Sequence, residues 1–515
     1  MKKIVMPFAL FVTGLCFGAD QSKPNVLFLM MDDLRPELNC FGESHIISPH
    51  MDKLAAEGVV FKRAYCNVPV CGASRASIMT GLRPTLTRFN RYDSAADSEA
   101  PEAVVLPQVF KDNGYTTISY GKVFHKWNDA KDSWDVLKGA KTNESRWRNY
   151  LKPENLKLDA ESKGHGPAYE CADVPDNAYD DGSVAERTVA SLKQLKKEGK
   201  PFFLAVGFTS PHLPFNAPKK YWDLYDYDAI KRPENNHAPE NAPLEAMRRS
   251  NELRAYHGIP KEGWLEDDAL ARTLIHAYYA TVSYSDALVG KVLDTLKELE
   301  LDKNTIVVLL GDHGFSLDDH GKWGKHSNFE VVLRSPLIVK APGFAGGTAS
   351  DALVEFVDIY PTLTELCSLD NPADQLEGES FAPVIENPDQ SFKEAVISKW
   401  QHGMTLLTER YSYTEWSEKG SAVVAQMLYD LQEDPSEFVN IAGNPENAPL
   451  IQKLQQTLYV NRGKDYSLAK NGVQFTSGYS AYSVSGPSRA EWSKGLIEPA
   501  YLGLEHTNKF KENNK

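Results

Sequence analysis

Cysteine is scarce in this sequence, which has six cysteines among 515 residues. The four cysteines besides Cys16 and Cys71 are too few to form a disulfide framework in so long a chain, and the lack of a Cys-x-x-Cys pair excludes the usual spacing of a thiolate zinc site. Besides Cys16 and Cys71, the sequence leaves the pairing of the cysteines undecided. The remaining four are Cys40, Cys66, Cys171 and Cys367, and a single disulfide bridge from Cys171 to a distant partner stays open.

Positive charge and long apolar runs are also lacking. The chain has 56 lysines and arginines against 70 acidic residues, which gives a formal net charge of −14 at pH 7. A binder of nucleic acid needs a basic face, so we expect no nucleic-acid partner. We also expect no transmembrane span, because no apolar stretch reaches the length that a bilayer requires.

The N-terminus carries a short targeting pattern. Two lysines precede an apolar run from Ile4 to Phe17, and this run is too short to cross a bilayer. We expect residues 1–18 to be a signal peptide and the protein to be exported to the periplasm or the extracellular space. Lipid anchoring at Cys16 stays open, although Leu15 before it fits a lipoprotein site poorly.

Uninterrupted apolar runs predict strands that are buried on both faces. They cover residues 25–31, 201–208 and 305–310, and a further strand is predicted over 116–120. With helical patterns between the runs, they predict an α/β fold with a doubly wound, mostly parallel sheet and helices on both faces. Beyond residue 386, short β-like runs and a helix predict a smaller α+β subdomain with an antiparallel sheet.

Acidic residues follow two of the buried runs. Asp32 and Asp33 end the first, and Asp312 follows the run over 305–310. The carboxyl ends of parallel strands meet at one edge of a sheet, where open α/β folds place their ligands. Three carboxylates at that edge suit Ca2+, whereas zinc favours more histidines or thiols. For the first pair alone, a solvated turn with an aspartate helix cap is the alternative.

Basic and imidazole side chains follow the predicted strands as well. Together they predict a ring that binds an anion and can move protons; its members are Arg75, Lys122, His125, His212 and Lys325. Each of them alone also fits an ordinary surface or turn residue, so the prediction depends on their convergence at the sheet edge.

Cys71 begins the segment on which the functional interpretation depends. The residues after it have helical spacing, so Cys71 lies at the start of a helix, where unpaired N–H groups favour an anion. A half-buried cysteine at an ordinary helix start is the alternative. The pattern Cys-x-Ala-x-Arg followed by Thr-Gly-x-x-Pro, over residues 71–84, resembles the signature of the type I sulfatases. That resemblance implies an alkaline-phosphatase-like fold and a cysteine oxidised by a maturation enzyme to formylglycine, whose hydrate attacks sulfate esters.

The order of the motifs along the chain resembles the iduronate-2-sulfatase branch of that family. The resemblance implies Ca2+ ligands at Asp32, Asp33, Asp312 and His313, together with the oxidised Cys71. It also implies that Arg75 and Lys122 steady the formylglycine hydrate, that His125 takes the proton when the sulfated intermediate breaks down, and that His212 and Lys325 hold the sulfate and help the alcohol leave. Ala73 departs from the proline of that branch, and this leaves the maturation route open.

The sequence therefore predicts three segments: a signal peptide, a catalytic sulfatase domain over 24–385, and a C-terminal subdomain with a tail over 386–515. The predicted activity is removal of sulfate from a glycan, with 2-O-sulfated uronic acid of a glycosaminoglycan as the first substrate. Other positions on sulfated polysaccharides such as algal ones, and phosphonate or phosphodiester hydrolysis, are alternatives. A non-catalytic glycan binder is the alternative if Cys71 is never modified.

Overall fold

A computed structural model describes residues 23–139, 149–162, 165–248, 250–417 and 422–461 of the chain. The predicted signal peptide and the tail beyond residue 461 lie outside these ranges. The strands are β1 Asn25–Met31, β2 Val59–Tyr65, β3 Thr116–Gly121, β4 Val136–Lys138, β5 Tyr169–Ala172, β6 Phe202–Phe208, β7 Phe215–Pro218, β8 Thr305–Gly311, β9 Ser316–Leu317, β10 Trp323–Gly324, β11 Leu337–Lys340, β12 Thr348–Glu355, β13 Ala395–Trp400, β14 Gly403–Thr408, β15 Tyr411–Ser417 and β16 Val423–Asp430.

The helices surround the larger sheet. They are α1 Pro49–Glu57, α2 Cys71–Thr80, α3 Ala96–Glu99, α4 Leu106–Asp112, α5 Pro153–Glu161, α6 Asp180–Glu198, α7 Lys219–Trp222, α8 Asp268–Glu298, α9 Glu330–Leu333, α10 Ile359–Leu366, α11 Ala382–Glu386 and α12 Ala448–Asn461. Within the described ranges, none of them is long and apolar enough to span a bilayer.

Eight strands form the central sheet in the order β12-β2-β11-β8-β1-β6-β3-β4. β1 pairs in parallel with both β6 and β8, and β3 pairs in parallel with β6. Only β11 runs against its neighbours in this sheet. The predicted doubly wound, mostly parallel sheet is therefore confirmed, and its connections run through helices on both faces.

Strand β1 shows why the apolar runs are continuous. All seven of its residues are buried. Leu27, Leu29 and Met31 pack into the core on one face, which includes residues of α1, α6 and α8. The intervening residues pack into the second core, on the side of α2, α4 and α10. Because successive side chains point to opposite faces, a strand covered on both sides is apolar along its length, and the polar residue at its start, Asn25, is buried with a hydrogen bond to Thr305 Oγ1 at 3.4 Å.

The C-terminal region is a four-stranded antiparallel sheet, β13-β14-β15-β16, as predicted. Helix α12 packs on it through Leu454 and Leu458, which share a core with Leu406, Tyr413 and Leu428. The sequence analysis missed several strands. Among them are β12, at the edge of the central sheet, and β15, whose alternating polar residues hide its pattern.

Five cysteines in the described ranges are free: Cys40, Cys66, Cys71, Cys171 and Cys367. The bridge from Cys171 that the sequence left open is therefore not formed. The structure instead relies on its two large apolar cores and on buried polar contacts between helices.

One such contact caps helix α1. Asp286 of α8 is 2% exposed, and its Oδ1 accepts hydrogen bonds from the backbone N–H groups of His50 (3.1 Å) and Met51 (2.7 Å). We expect Asp286→Ala to lower the free energy of unfolding by about 1–2 kcal/mol, because the buried helix start loses its acceptor. The shift of the urea unfolding midpoint measures this loss.

Asp294→Ala on the same helix is the matched control. Asp294 pairs with Lys53 at 3.2 Å, and both side chains are about half exposed. Exposed pairs contribute little, so we expect a change below about 0.5 kcal/mol. Equal midpoint shifts in the two variants would contradict the capping role of Asp286.

Candidate active site

The predicted site residues meet at the carboxyl edge of the central sheet. Asp32 and Asp33 directly follow β1, and Asp312 and His313 directly follow β8. Because β1 and β8 pair in parallel with Met31 opposite Gly311, the two acidic turns start at the same level of the sheet. The backbone N–H of Asp33 donates to Asp312 Oδ1 at 3.2 Å and joins the turns directly.

Helix α2 begins at this edge and carries Cys71 as its first residue. Cys71 is 2% exposed. The hydroxyl of Ser74 donates to the backbone carbonyl of Asp312 at 2.5 Å and ties the first turn of the helix to the end of β8. Gly72 approaches the Tyr92 carbonyl so closely that a Cβ atom would lie 2.1 Å from its oxygen, so only glycine fits there.

Arg75 lies one turn into α2 and is completely buried. Its Nε donates to Asp312 Oδ2 at 2.8 Å, and its Nη2 lies 3.8 Å from Asp32 Oδ1. Its Nη1 donates to the backbone carbonyl of Lys122, in the turn after β3. One guanidinium therefore joins α2 to the ends of three strands.

The acidic cluster fits a divalent cation. Ligand atoms of Asp32, Cys71, Asp312 and His313 all lie within 4.8 Å of one another. His313 Nδ1 pairs with the Gly314 carbonyl at 2.9 Å, which leaves Nε2 as the nitrogen that faces the carboxylates. Among the described residues, neither His313 Nε2 nor Asp32 Oδ1 has a hydrogen-bond partner, although both are buried.

Two orphaned acceptors that face one another are costly unless a cation lies between them. Asp33 Oδ1 and Asp312 Oδ1 each lie 3.6 Å from His313 Nε2 and add negative charge to the same space. The donor set, mostly carboxylate oxygens, is the one that Ca2+ prefers. The residues present therefore fit a calcium ion, and the roles of the individual ligands stay a prediction.

Two cationic groups lie on the other side of the cluster. Lys325 Nζ donates to both oxygens of Asp33, at 2.9 and 3.1 Å. His212 Nε2 lies 3.8 Å from Asp33 Oδ2. The loop that carries His212 is held by Asp181, which accepts from the N–H groups of Thr209 (2.9 Å) and Ser210 (2.7 Å).

Lys122 and His125 complete the ring on the β3 side. Lys122 Nζ forms a hydrogen bond with Asp32 Oδ2. His125 is half-buried, and its ring lies against that of Tyr92, with 5.8 Å between the centroids. The structure thus brings together all of the predicted catalytic and metal residues, whose individual roles stay predictions.

Electrostatics in the cluster follow from burial and from opposite charges. Burial raises the pKa of the Asp32 carboxyl, but Lys122, His212 and Arg75 together hold it well below its ordinary value. Burial raises the pKa of Asp312 to about 7, although Arg75 opposes the rise. Burial and Asp32 raise the pKa of the Cys71 thiol, while Lys325 and Lys122 hold it well below its ordinary value.

This arrangement can bind an anion next to Cys71, whose thiol has a lowered pKa. Cations on two sides of Cys71 stabilise negative charge at the helix start, and the carboxylates hold those cations in fixed positions. Reactions that build up charge on oxygen, such as transfer of a sulfuryl or phosphoryl group, benefit from such a site.

Glu252 is a neighbour of this site that the sequence analysis missed. Its carboxylate lies 2.9 Å from His212 Nε2 and 3.1 Å from Lys325 Nζ. It belongs to the long loop-rich segment over 218–267, which contains several other acidic residues. No motif marks Glu252 among them, so only the packing of that segment could identify it.

Comparisons with known proteins agree with the geometry. The model of the family described as Sulfatase matches residues 24–369, and one described as N-sulphoglucosamine sulphohydrolase, C-terminal, matches residues 318–464. Iduronate 2-sulfatase of Homo sapiens is 33% identical over 390 residues, which are 68% of this chain and 70% of that protein. A sulfatase of Formosa agariphila is 32% identical over 464 residues, 85% of this chain and 86% of that protein.

Solved structures show the same fold. A phosphonate monoester hydrolase from Silicibacter pomeroyi superposes with a TM-score of 0.72 at 22% identity, covering 88% of this chain and 98% of that one. BT1596, a 2-O GAG sulfatase, superposes with a TM-score of 0.66 at 21% identity, covering 86% and 93%. Since a family model spans two thirds of the chain and full-length relatives exceed 30% identity, the chain belongs to the sulfatase family and is a sulfuric ester hydrolase.

Proposed function

We propose that this sulfatase removes sulfate from a sulfated glycan, with 2-O-sulfated uronic acid as its first substrate, through a formylglycine made from Cys71 and a bound Ca2+. One observation carries the proposal. Cys71 starts α2 at 2% exposure, with its Sγ within 4.8 Å of ligand atoms of Asp32, Asp312 and His313. Two relatives support the substrate, since iduronate 2-sulfatase and a 2-O GAG sulfatase carry that chemistry in their names.

The proposal assigns a position to each cofactor. Ca2+ would be held by Asp32, Asp33, Asp312 and His313 together with the modified residue 71, and it would supply Lewis-acid stabilisation of charge on the sulfate oxygens. Formylglycine, produced by a maturation enzyme, would supply two hydroxyls. One would be the nucleophile, and the other would allow the sulfate to be released from residue 71.

We assign the remaining steps to the ring of basic and imidazole side chains around Cys71. Lys325 and His212 bind the sulfate, and His212 gives a proton to the leaving alcohol oxygen. Lys122 and Arg75 would hold the hydroxyls of the modified residue 71, and the bond of Arg75 to Asp312 fixes the guanidinium in place. His125 would take the proton from the remaining hydroxyl of residue 71 when the sulfate leaves. Since most of these groups are buried, water is largely excluded and each charge acts strongly.

The segment boundaries and location belong to the same proposal. We place the catalytic domain over 24–385 and the C-terminal subdomain with its tail over 386–515. Residues 1–18 serve as a signal peptide for export to the periplasm or the extracellular space, as the lysines before their apolar run indicate.

An exposed aromatic ring at the rim supports a glycan substrate. Tyr92 is 60% exposed and lies edge to face with His125. An exposed ring with an apolar face and a polar tip suits the alternating CH and OH groups of a sugar. A neighbouring sugar of the substrate would therefore rest on Tyr92 while the sulfated sugar occupies the ring of cations.

The nucleophile is tested by Cys71→Ala and Cys71→Ser. We expect both to lower the rate of ester hydrolysis by at least about a thousandfold, because alanine has no group to oxidise and serine lacks the thiol on which a cysteine-converting maturation enzyme acts. Mass spectrometry of the wild-type peptide should show the mass loss for conversion of a thiol to an aldehyde. Cys171→Ser, a half-buried cysteine on β5, is the control and should retain wild-type activity. Multiple turnover by Cys71→Ala would refute the role of residue 71.

The metal is tested by chelation, with thermal stability as the readout. Because Asp32, Asp33 and Asp312 are all buried and close together, we expect removal of Ca2+ to lower the Tm by several degrees, and added Ca2+ to restore it. Asp312→Asn should lose most of this calcium-dependent shift. Asp358→Asn, a buried acid paired with Lys393 outside the site, should keep it. A Tm independent of Ca2+ would argue against the metal site.

Tyr92→Ala tests the glycan contact. We expect kcat/KM for a sulfated disaccharide to fall by about threefold to tenfold relative to kcat/KM for a small aryl sulfate, since only the larger substrate reaches the aromatic side chain of Tyr92. Leu86→Ala, an exposed apolar residue of the same segment, should leave the ratio unchanged. An equal fall for both substrates would show that Tyr92 acts on His125 instead.

A further inference from the structure

The mechanism above makes no use of Glu252, although this residue touches two of its groups. Glu252 Oε1 lies 2.9 Å from His212 Nε2, and Oε2 lies 3.1 Å from Lys325 Nζ. Its side chain is 22% exposed, and it precedes the short helical turn Leu253–Ala255. The carboxylate thus bridges the two cationic groups at the partly exposed side of the site.

The donors of these two groups are already committed. His212 Nδ1 pairs with the Leu213 carbonyl at 2.5 Å, so Nε2 is the nitrogen that remains for Glu252 or for a substrate. Lys325 Nζ contacts both oxygens of Asp33 as well as Glu252. An anion that enters here has to compete with the Glu252 carboxylate for the same hydrogen bonds.

The Glu252 carboxyl is ionised in this setting. Burial raises its pKa, but Lys325 and His212 together hold it well below the ordinary value, and the neighbouring His326 acts in the same direction. The negative charge therefore persists through the neutral pH range, whether the carboxylate stays between the two groups or moves aside within its loop.

Competition with a fixed negative charge depends on the charge of the ligand. A sulfate monoester carries one negative charge, whereas free sulfate and, at neutral pH, most phosphate monoesters carry two. Coulomb repulsion scales with the product of the charges, so Glu252 opposes a dianion about twice as strongly as a monoanion at the same position. The attraction by His212 and Lys325 is partly cancelled by Glu252 for both ligands.

We propose that Glu252 is a specificity-determining residue, which lowers the affinity of the His212–Lys325 subsite for dianions, including the sulfate released by the reaction, more than its affinity for monoanionic sulfate esters. This inference rests on the proposed function in placing the sulfate at these two residues. Its consequence for turnover is direct. The product gains a negative charge when the ester is cleaved, and repulsion by Glu252 then lowers the affinity of the subsite for the released sulfate.

Calorimetric titration with inorganic sulfate tests the subsite without any turnover. In the Cys71→Ala background, we expect Glu252→Gln to tighten sulfate binding by about tenfold or more, because the competing charge is removed. Glu252→Asp keeps the charge and should bind sulfate within about twofold of the parent. Glu262→Gln makes the same change of net charge at an exposed position of the same segment and should also match the parent.

Two outcomes of the titration overturn the proposal. Unchanged or weaker sulfate binding in Glu252→Gln shows that the carboxylate does not compete with the anion. Absence of sulfate binding in all four proteins shows that His212 and Lys325 form no anion subsite. Melting curves of each variant establish that it is folded before it is titrated.

Kinetics on the matured enzyme provide the second readout. We expect Glu252→Gln to lower the inhibition constant of sulfate more than it lowers the KM of an aryl sulfate, so that their ratio falls by at least about threefold. A lower kcat with an unchanged ratio overturns the proposal and makes Glu252 a positioning residue for His212. If the wild-type enzyme itself cleaves no sulfate ester, the proposed function fails, while the titration still decides whether Glu252 competes with an anion.

Discussion

The buried guanidinium of Arg75 is the interaction on which the site depends. A wholly buried arginine needs acceptors and opposite charge around it, since an uncompensated buried charge costs several kcal/mol. Arg75 Nε pairs with Asp312 after β8 and Nη1 with the Lys122 carbonyl after β3, while Nη2, which has no hydrogen-bond partner among the described residues, lies 3.8 Å from Asp32 Oδ1. These contacts tie helix α2 to the sheet edge and place Cys71 beside the acidic turns.

The charges of the site form two layers that need one another. The inner layer is acidic, with Asp32, Asp33 and Asp312 wholly buried. The outer layer is cationic, and its lysines, Lys122 and Lys325, bind Asp32 and Asp33 directly. Each lysine is thus held by a carboxylate that also belongs to the proposed cation site. A change in one layer alters the field in the other, so single substitutions here should not be additive.

The sequence predicted most of the site because its residues follow strands whose apolar runs are unmistakable. Asp32 and Asp312 were found in this way, since β1 and β8 lie in the middle of the sheet. The edge strand β12 and the strand β15 were missed, because their polar residues interrupt the apolar pattern. Glu252 could not be found either, because its position depends on how a long irregular loop returns to the sheet edge.

Helix α2 is held at its far end by a second arginine. Arg83, just beyond the helix, pairs with Glu355 at the end of β12, and Glu355 also binds Lys393 at 2.8 Å and the backbone N–H of Ile397 at 2.9 Å. Ile397 belongs to β13, so this network connects the C-terminal sheet to the helix that carries Cys71. With both ends of the helix fixed, the proposed nucleophile at residue 71 needs no reorganisation before it meets a bound ester, and a rigid scaffold of this kind favours catalysis.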